Sequence, residues 1–395
     1  MNNYPRNWTP HKLDRLGVVG RGKSRNRPRN DPSLYGGQFP FVQTGDIKNA
    51  DLYLSEYSQT YNEKGLSQSK LWNPGTLCIT IAANIAETTI LKIKACFPDS
   101  VVGFIADPEK SDVRFIKYYI DTIKLRMQNV SKGTTQDNLS LEKLLTFDFV
   151  VPDVENQNKI ASILSSYDDL IENNTRRIKI LEQMAETIYT EWFVKFRFPG
   201  HEKVKFVNSE LGKIPEGWTI GKVGDLYAVK SGFAFKSNNF LPIGEFSVIK
   251  ITNIQNNVID TVNCEYISEK IAQSASRFEI YEGDLFISMT GAQVGKVGIM
   301  PKVSQKYFLN QRVGKYFPKK PFLTNVSFIY LFSLSDYFQK QISNIAAGAA
   351  QPNISGGSIE SIPLLLPPNE LIEIFTSFCD YFLRNICILH YKNRV

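Results

Sequence analysis

The most regular pattern of apolar positions lies between 153 and about 193, a stretch with neither Gly nor Pro. Steps of four and three from Ile160 reach Leu164, Tyr167, Ile171, Asn174, Ile178, Leu181, Ala185, Ile188 and Trp192, a seam in which only Asn174 is polar. A heptad seam of this kind predicts a helix that faces another helix. About 39 residues at 1.5 Å each would make it roughly 58 Å long, and it cannot bury its own stripe. A second seam with the same spacing, Phe375, Cys379, Phe382, Ile386 and Leu389, follows 215 residues later. The two are expected to clasp each other antiparallel inside one molecule. The second pattern runs only to Val395, the counterpart of Ile180, so Leu181 to Trp192 have no counterparts in it. Ile188, Trp192 and Phe193 must therefore be covered by a globule or a partner subunit, or stay exposed, and burial by a partner subunit is the expectation.

The same offset recurs outside the seams. Gly133-Thr134-Thr135-Gln136-Asp137-Asn138-Leu139-Ser140 is matched by Gly348-Ala349-Ala350-Gln351-Pro352-Asn353-Ile354-Ser355, and Phe149-Val150-Val151-Pro152 by Leu364-Leu365-Leu366-Pro367. Weaker echoes, 75–80 with 283–288 and 42–47 with 249–254, drift to an offset near 208, as loop insertions would cause. Short β-rich runs at 77–81, 90–93 and 285–288 are punctuated by Gly, Asn and Pro, and helical patterns cover 113–127 and 325–345. The fold class is α+β: two α/β domains separated by a pair of long antiparallel coiled-coil helices, with an internal pseudo-two-fold repeat. The expected boundaries are 1–152 for the first globule, 153–198 for the first long helix, 199–366 for the second globule and 367–395 for a shorter helix. Two such heads about one turn of a duplex apart, roughly 34 Å, would meet the same groove on one face, with the helices as a ruler. Two plainer readings stand beside this one: a duplication without functional meaning, and a helical hairpin that only stabilises the fold.

Composition narrows the class. With 43% hydrophobic and 22% charged residues in 395, the chain reads as a globular protein of two or three domains. Forty-six Lys and Arg against 39 Asp and Glu give +7, which permits a polyanionic partner without demanding one. Five cysteines without a Cys-x-x-Cys pair suggest reduced thiols rather than disulfides or zinc. No apolar signal core or membrane-length run occurs, so a cytoplasmic protein is expected.

Catalytic constellations are absent from the sequence. None of its three histidines, His11, His201 and His390, lies near a nucleophile signature. Asn73-Pro74-Gly75 reads as a turn rather than an amino-methyltransferase motif; Pro98-Asp99 and Pro152-Asp153 lack the following acid-x-Lys of a magnesium nuclease, and Asp46-Ile47-Lys48 lacks the preceding Pro-Asp. No Walker loop occurs. The glycines at 20–22 and 291–298 fit hairpin bends better than phosphate cradles.

Candidate DNA contacts are of two kinds. Arg21, Lys23, Arg25, Arg27 and Arg29 put five cations into nine residues, interleaved with Gly, Ser, Asn and Pro. Such a segment suits phosphate contact or groove insertion, or else is a solvated loop. In the second half, Lys230, Ser231 and Lys236 flank Phe233 and Phe235, which could equally be core, and Asn310, Gln311 and Arg312 carry side chains able to read base edges.

The stretch 152–218 resembles the specificity subunits of Type I restriction-modification enzymes. The residues that carry the likeness are Glu155-Asn156-Gln157-Asn158-Lys159-Ile160-Ala161-Ser162-Ile163-Leu164, Leu170-Ile171-Glu172-Asn173-Asn174, Trp192-Phe193 and Ile214-Pro215-Glu216-Gly217-Trp218. The last looks like the start of a second target-recognition domain, as Trp8 with Lys12-Leu13 looks like the start of the first. The repeated segment before each helix is similar too. The resemblance implies a non-catalytic subunit whose two target-recognition domains each read half of a bipartite, asymmetric site in double-stranded DNA. Its implied partners are two methyltransferase (M) subunits and restriction/translocase (R) subunits, and its implied place is the nucleoid. It implies no cofactor or metal on this chain, with S-adenosylmethionine, ATP and Mg on the partners. A related fused restriction-methylation system of Type IIB kind, a self-sufficient methyltransferase and a pure scaffold are the competing readings.

Overall fold

The structure is a computed structural model that describes residues 5–131, 138–210, 212–323, 325–347 and 352–394. It divides into two compact units, Met1–Glu172 and Asn173–Val395. Residues 133–137 and 348–351 of the repeated segment lie outside the described residues. The remainder of that segment is alike in both units. Leu139 and Ile354 are buried, and the Ser140 and Ser355 hydroxyls each accept an N–H of the short helix that they cap, from Lys143 at 3.2 Å and Ser358 at 3.0 Å.

In the first unit a five-stranded sheet runs in the order Gly17–Arg21, Val101–Ala106, Leu77–Thr80, Thr88–Leu91, Tyr53–Leu54. All neighbours are antiparallel except the last pair. Every residue of Leu77–Thr80 and Thr88–Leu91 is buried, which is why these strands read as unbroken runs rather than alternations. The helix Val113–Ser131 turns Ile116, Ile120, Ile123 and Met127, one helical face, into a core shared with Leu77, Ile79, Val102 and Phe104. A smaller sheet has the order Gln59–Tyr61, Tyr35–Phe41, Ala95–Cys96, Leu71–Trp72.

The second unit repeats this plan. Tyr227–Ser231, Val313–Pro318, Leu285–Ser288 and Val297–Ile299 are neighbours in that order in a six-stranded sheet, and a five-stranded sheet contains Glu265–Ile267, Phe246–Ile249 and Lys306–Leu309. A two-stranded clip closes each globule just ahead of its helix, Thr9–His11 with Phe149–Val151 and Thr219–Lys222 with Pro363–Leu366.

The long helix spans Val154–Tyr189 and continues as a π-helical turn over Thr190–Val194; the C-terminal helix spans Asn369–Lys392. Within the second unit the two run antiparallel. The Asn174 amide donates to Asn393 Oδ1 at 2.8 Å, and toward the other end the Tyr189 and Phe193 rings lie 6.1 and 4.7 Å from Phe375. Ile178, Ala185, Phe375, Cys379, Ile386 and Leu389 are buried in this clasp, with Leu181, Ile188, Trp192 and Phe382 partly buried against it.

Two expectations are corrected. Ile188, Trp192 and Phe193 need no partner subunit to cover them: they pack into the second unit's own core, where the Phe193 ring meets Trp218, Phe328 and Phe375 at 4.7 to 6.0 Å. The seam also does not hold along its whole length. Ile160 packs on the first unit's core, but Leu164, Tyr167 and Ile171 are 39%, 64% and 40% exposed. The helix turns Gln157, Ala161 and Ser165 inward there instead. The reason is polar docking. Gln157 bonds Asp112 N–H and the Lys110 and Pro152 carbonyls, Arg114 reaches Ser165 at 3.3 Å, and Tyr118 donates to Asp168 at 2.6 Å.

Phe375 is fully buried at the centre of the clasp. Phe375→Ala is expected to destabilise the protein by about 3–5 kcal/mol, because the surrounding rings cannot collapse into the space it leaves. Chemical denaturation followed by tryptophan fluorescence measures this, and a cost below about 1 kcal/mol would show that the clasp does not close the core.

Candidate nucleic-acid interface

Each unit exposes one edge built in the same way. In the first, the strand Gly17–Arg21 leaves its sheet at Gly22, whose N–H donates to the Val101 carbonyl at 2.8 Å, and Lys23 N–H donates to Phe97 at 3.0 Å. In the second, Tyr227–Ser231 ends at Gly232, whose N–H donates to Val313 at 3.2 Å, and Phe233 N–H donates to Leu309 at 2.8 Å. A Cβ at Gly22 would run into the Pro98 carbonyl and one at Gly232 into the Leu309 carbonyl, so both positions need glycine for the close approach. The matching turns, Pro98-Asp99-Ser100 and Asn310-Gln311-Arg312, each carry the chain from the smaller sheet of the unit into the larger one.

This geometry brings together the two candidate segments of the second unit, since Gln311 N–H donates to the Phe233 carbonyl at 2.9 Å. Lys230, Ser231 and Lys236 are exposed, with the Lys230 ammonium 5.4 Å over the Phe317 ring. Phe233 and Phe235 touch edge to face at 4.9 Å and pack with Val248, Ile267 and Phe308, so these aromatics are core. Asn310 is buried, and its Oδ1 accepts the Arg312 N–H at 3.1 Å, a turn-forming role. Gln311 and Arg312 stay exposed at the tip.

The basic segment of the first unit is folded, not loose. Gln68 Oε1 accepts the Arg25 and Asn26 N–H groups at 2.6 and 3.1 Å. Arg27 donates to the Ser24 and Asn26 carbonyls at 2.8 Å and lies 3.8 Å from Asp99, while Arg29 sits 2.7 Å from the same carboxylate. Arg21 donates to the Asp99 carbonyl. The Asp99 turn thus gathers three arginines, leaving the Lys23 and Arg25 side chains without a partner among the described residues.

Beside them lies a polar cleft of about 440 Å³ lined by Ser24, Arg29, Tyr35, Gln43, Gln59 and Ser100. Gln43 Nε2 donates to Gln59 Oε1 at 2.6 Å. Burial, with Tyr61 alongside, pushes the Tyr35 phenol up to about 12, so its hydroxyl stays protonated and donates to the Arg29 carbonyl at 2.8 Å. Gln43 and Gln59 are additions to the sequence-based candidates. The echo between 42–47 and 249–254 was the one signal that pointed toward Gln43.

The residues weighed for catalysis are dispersed. Asp46 accepts the Gln43 N–H at 2.8 Å as a helix cap, His11 bonds Thr9 at 2.9 Å, and His201 bonds the Phe198 carbonyl at 2.8 Å. Burial holds His390 down to about 4. Among the described residues no group of three His, Cys, Asp or Glu is placed to hold a metal, and no helix is long and apolar enough to cross a membrane.

The profile of the Type I restriction modification DNA specificity domain matches the chain twice, over residues 5–183 and 215–391. The chain belongs to that family. It is 24% identical to the Type I restriction enzyme MjaIX specificity subunit of Methanocaldococcus jannaschii, across 98% of this chain and 89% of the relative. To the HindI specificity subunit of Haemophilus influenzae it is 22% identical, across 91% and 90%. The fold matches the crystal structure of a Type I system S subunit from M. genitalium with a TM-score of 0.63 at 15% identity, covering 100% of this chain and 95% of that one. As a member of the specificity family the chain is a recognition subunit rather than an enzyme. The doubled profile coincides with the doubled edge.

Asp99→Ala removes the carboxylate that gathers the basic segment. Loss of ion pairs this exposed, worth about 1 kcal/mol, is expected to speed tryptic cleavage at Arg25 and Arg29 roughly fivefold with little change in melting temperature. Unchanged cleavage would mean that the backbone bonds to Gln68 suffice.

Proposed function

We propose that this chain is the DNA-reading subunit of a Type I restriction-modification complex, in which each globule contacts one half of a bipartite, asymmetric site in double-stranded DNA. In this reading residues 1–152 and 199–366 are the target-recognition domains; the helices of 153–198 and 367–395 set the spacer and dock two methyltransferase subunits. Methylation with S-adenosylmethionine and ATP- and Mg-dependent restriction belong to those subunits and to the translocating nuclease, and the complex works on DNA in the cytoplasm. The observation that carries the reading is the doubled strand-glycine-turn edge, one scaffold presenting different polar side chains twice. Phosphate contact by the basic segment would position the protein, and the polar side chains at each tip would read bases.

Single-molecule sequencing of methylated adenines in cells carrying this chain and its methyltransferase is expected to return two unlike half-sites separated by a fixed spacer. A continuous or palindromic motif would overturn the proposal.

Lys23→Ala with Arg25→Ala, the two cations free to meet phosphate, should lower the slope of log affinity against log salt by about 1.8, at roughly 0.9 per phosphate contact. An unchanged slope assigns these residues elsewhere. Removing one heptad from each long helix shortens it by roughly 10 Å, about three base-pair steps. The spacer in the methylated motif should contract accordingly, and a variant retaining the original spacer would defeat the ruler.

A further inference from the structure

The two edges differ at one shared address. In the first unit Phe41 pairs parallel with Cys96 and antiparallel with Gln59; in the second Val248 pairs parallel with Phe308 and antiparallel with Glu265. Two residues after each shared strand position, a backbone N–H is capped from three residues on: Gln43 N–H by Asp46 Oδ2 at 2.8 Å, and Lys250 N–H by Asn253 Oδ1 at 2.9 Å. Gln43 is therefore the equivalent of Lys250, and Gln59 of Glu265. Their side chains meet in both units. Gln43 donates to Gln59 at 2.6 Å, while the Lys250 ammonium bonds the Glu265 carboxylate and lies 3.6 Å over the Phe240 ring.

Each pair adjoins the turn of its own unit. Gln43 shares a cleft with Arg29 and Ser100, and Ile249, next to Lys250, accepts the Asn310 N–H at 3.0 Å. Neither pair belongs to the core, since Gln59 is exposed and the Lys250 and Glu265 side chains are 26% and 51% exposed. The fold would tolerate the same pair twice. It carries a neutral amide pair in one unit and an ion pair in the other, where the surrounding backbone is the same.

We infer that the pairs Gln43 with Gln59 and Lys250 with Glu265 are matched specificity-determining positions, one for each half-site. The chemistry states what each reads. A glutamine amide is a bidentate match for the N6 and N7 edge of adenine, whereas Lys meets O6 and N7 of guanine and Glu accepts from N4 of cytosine. The first unit's half-site should therefore carry an A·T pair, and the second unit's a G·C pair, at the base step facing this address. The inference rests on the proposed function and adds residues to it.

The test uses the chain assembled with its methyltransferase subunits, reading methylated adenines by sequencing and duplex affinity by fluorescence anisotropy over a panel of single-base variants. Gln43→Ala with Gln59→Ala should relax one A·T pair in one half-site, with about 10- to 100-fold loss of discrimination there and the other half-site unaltered. Lys250→Ala with Glu265→Ala should relax one G·C pair in the other half. The exchange Lys250→Gln with Glu265→Gln should convert that position from G·C to A·T, a gain that misfolding cannot mimic. Intact motifs in all three variants, relaxation of the same half by both alanine pairs, or affinity lowered equally for every duplex at an unchanged melting temperature would overturn the assignment. A wild-type motif that is not bipartite would instead bring down the underlying function, and this inference with it.

Discussion

The packing of Phe375 against Tyr189, Trp192 and Phe193 is the contact on which the second unit depends. Four aromatic rings from two helices, joined by Phe328 and Trp218 of the globule, bury a surface that neither helix could hide alone. Dispersion and desolvation across such a cluster outweigh the cost of ordering the chain only when every ring finds a neighbour. Two long helices then become one wall of a folded core. At the opposite end of the same clasp the bonds of Asn393 with Asn174 and Thr175 replace apolar contact with directional ones. A polar pair in a seam fixes register, because any slip by a turn would strand both amides among Ile178, Ile386 and Leu389.

With the core closed, the sheet edges are free to vary. Gly22 and Gly232 set the backbone so close to the neighbouring strand that no side chain can intrude, and this steric constraint is met identically in both units. Everything beyond it differs. One tip carries Asp99 with arginines gathered around it, the other Gln311 and Arg312 exposed to solvent. The proposed reading of two unlike half-sites calls for this division of labour, in which backbone bonds hold the frame and half-exposed polar groups, nearly neutral in stability, are free to differ.

How far the sequence disclosed this depends on the physics involved. The clasp was legible from Asn174 onward because apolar side chains at heptad spacing answer a period that counting detects. Between Ile160 and Ile171 the same count pointed to the wrong face, since the helix docks there through Gln157, Ser165 and Asp168, and polar contacts to a neighbouring helix leave no apolar period. The doubled plan of strands and helices was visible in the 215-residue offset. The partner of the basic segment was not, because Asp99 lies 70 residues beyond Arg29 and only the pairing of Gly17–Arg21 with Val101–Ala106 brings them together. Phe233 and Phe235 stood open between core and surface until the Val248 and Phe308 packing decided for core. Gln43 and Gln59 escaped notice for the same reason as Asp99: their proximity comes from strand register.

Under the proposed DNA-reading role, the Asp99 cluster also bears on how a protein of only +7 would prefer its own sites over bulk DNA. Arginines already bonded to a carboxylate gain less from a phosphate, because that contact must replace an existing charge-assisted bond rather than add one. Nonspecific binding, which scales with the cations free to displace counterions, would be held down. Arg29 nevertheless keeps Nε and Nη1 unengaged among the described residues, so the ion pair fixes the guanidinium while leaving donors available. A guanidinium held in place loses less rotamer entropy on meeting a base edge than a free one. In that role the same carboxylate would weaken indiscriminate attraction and strengthen directed contact, and the ratio of the two, more than the absolute affinity, is what a recognition subunit must supply.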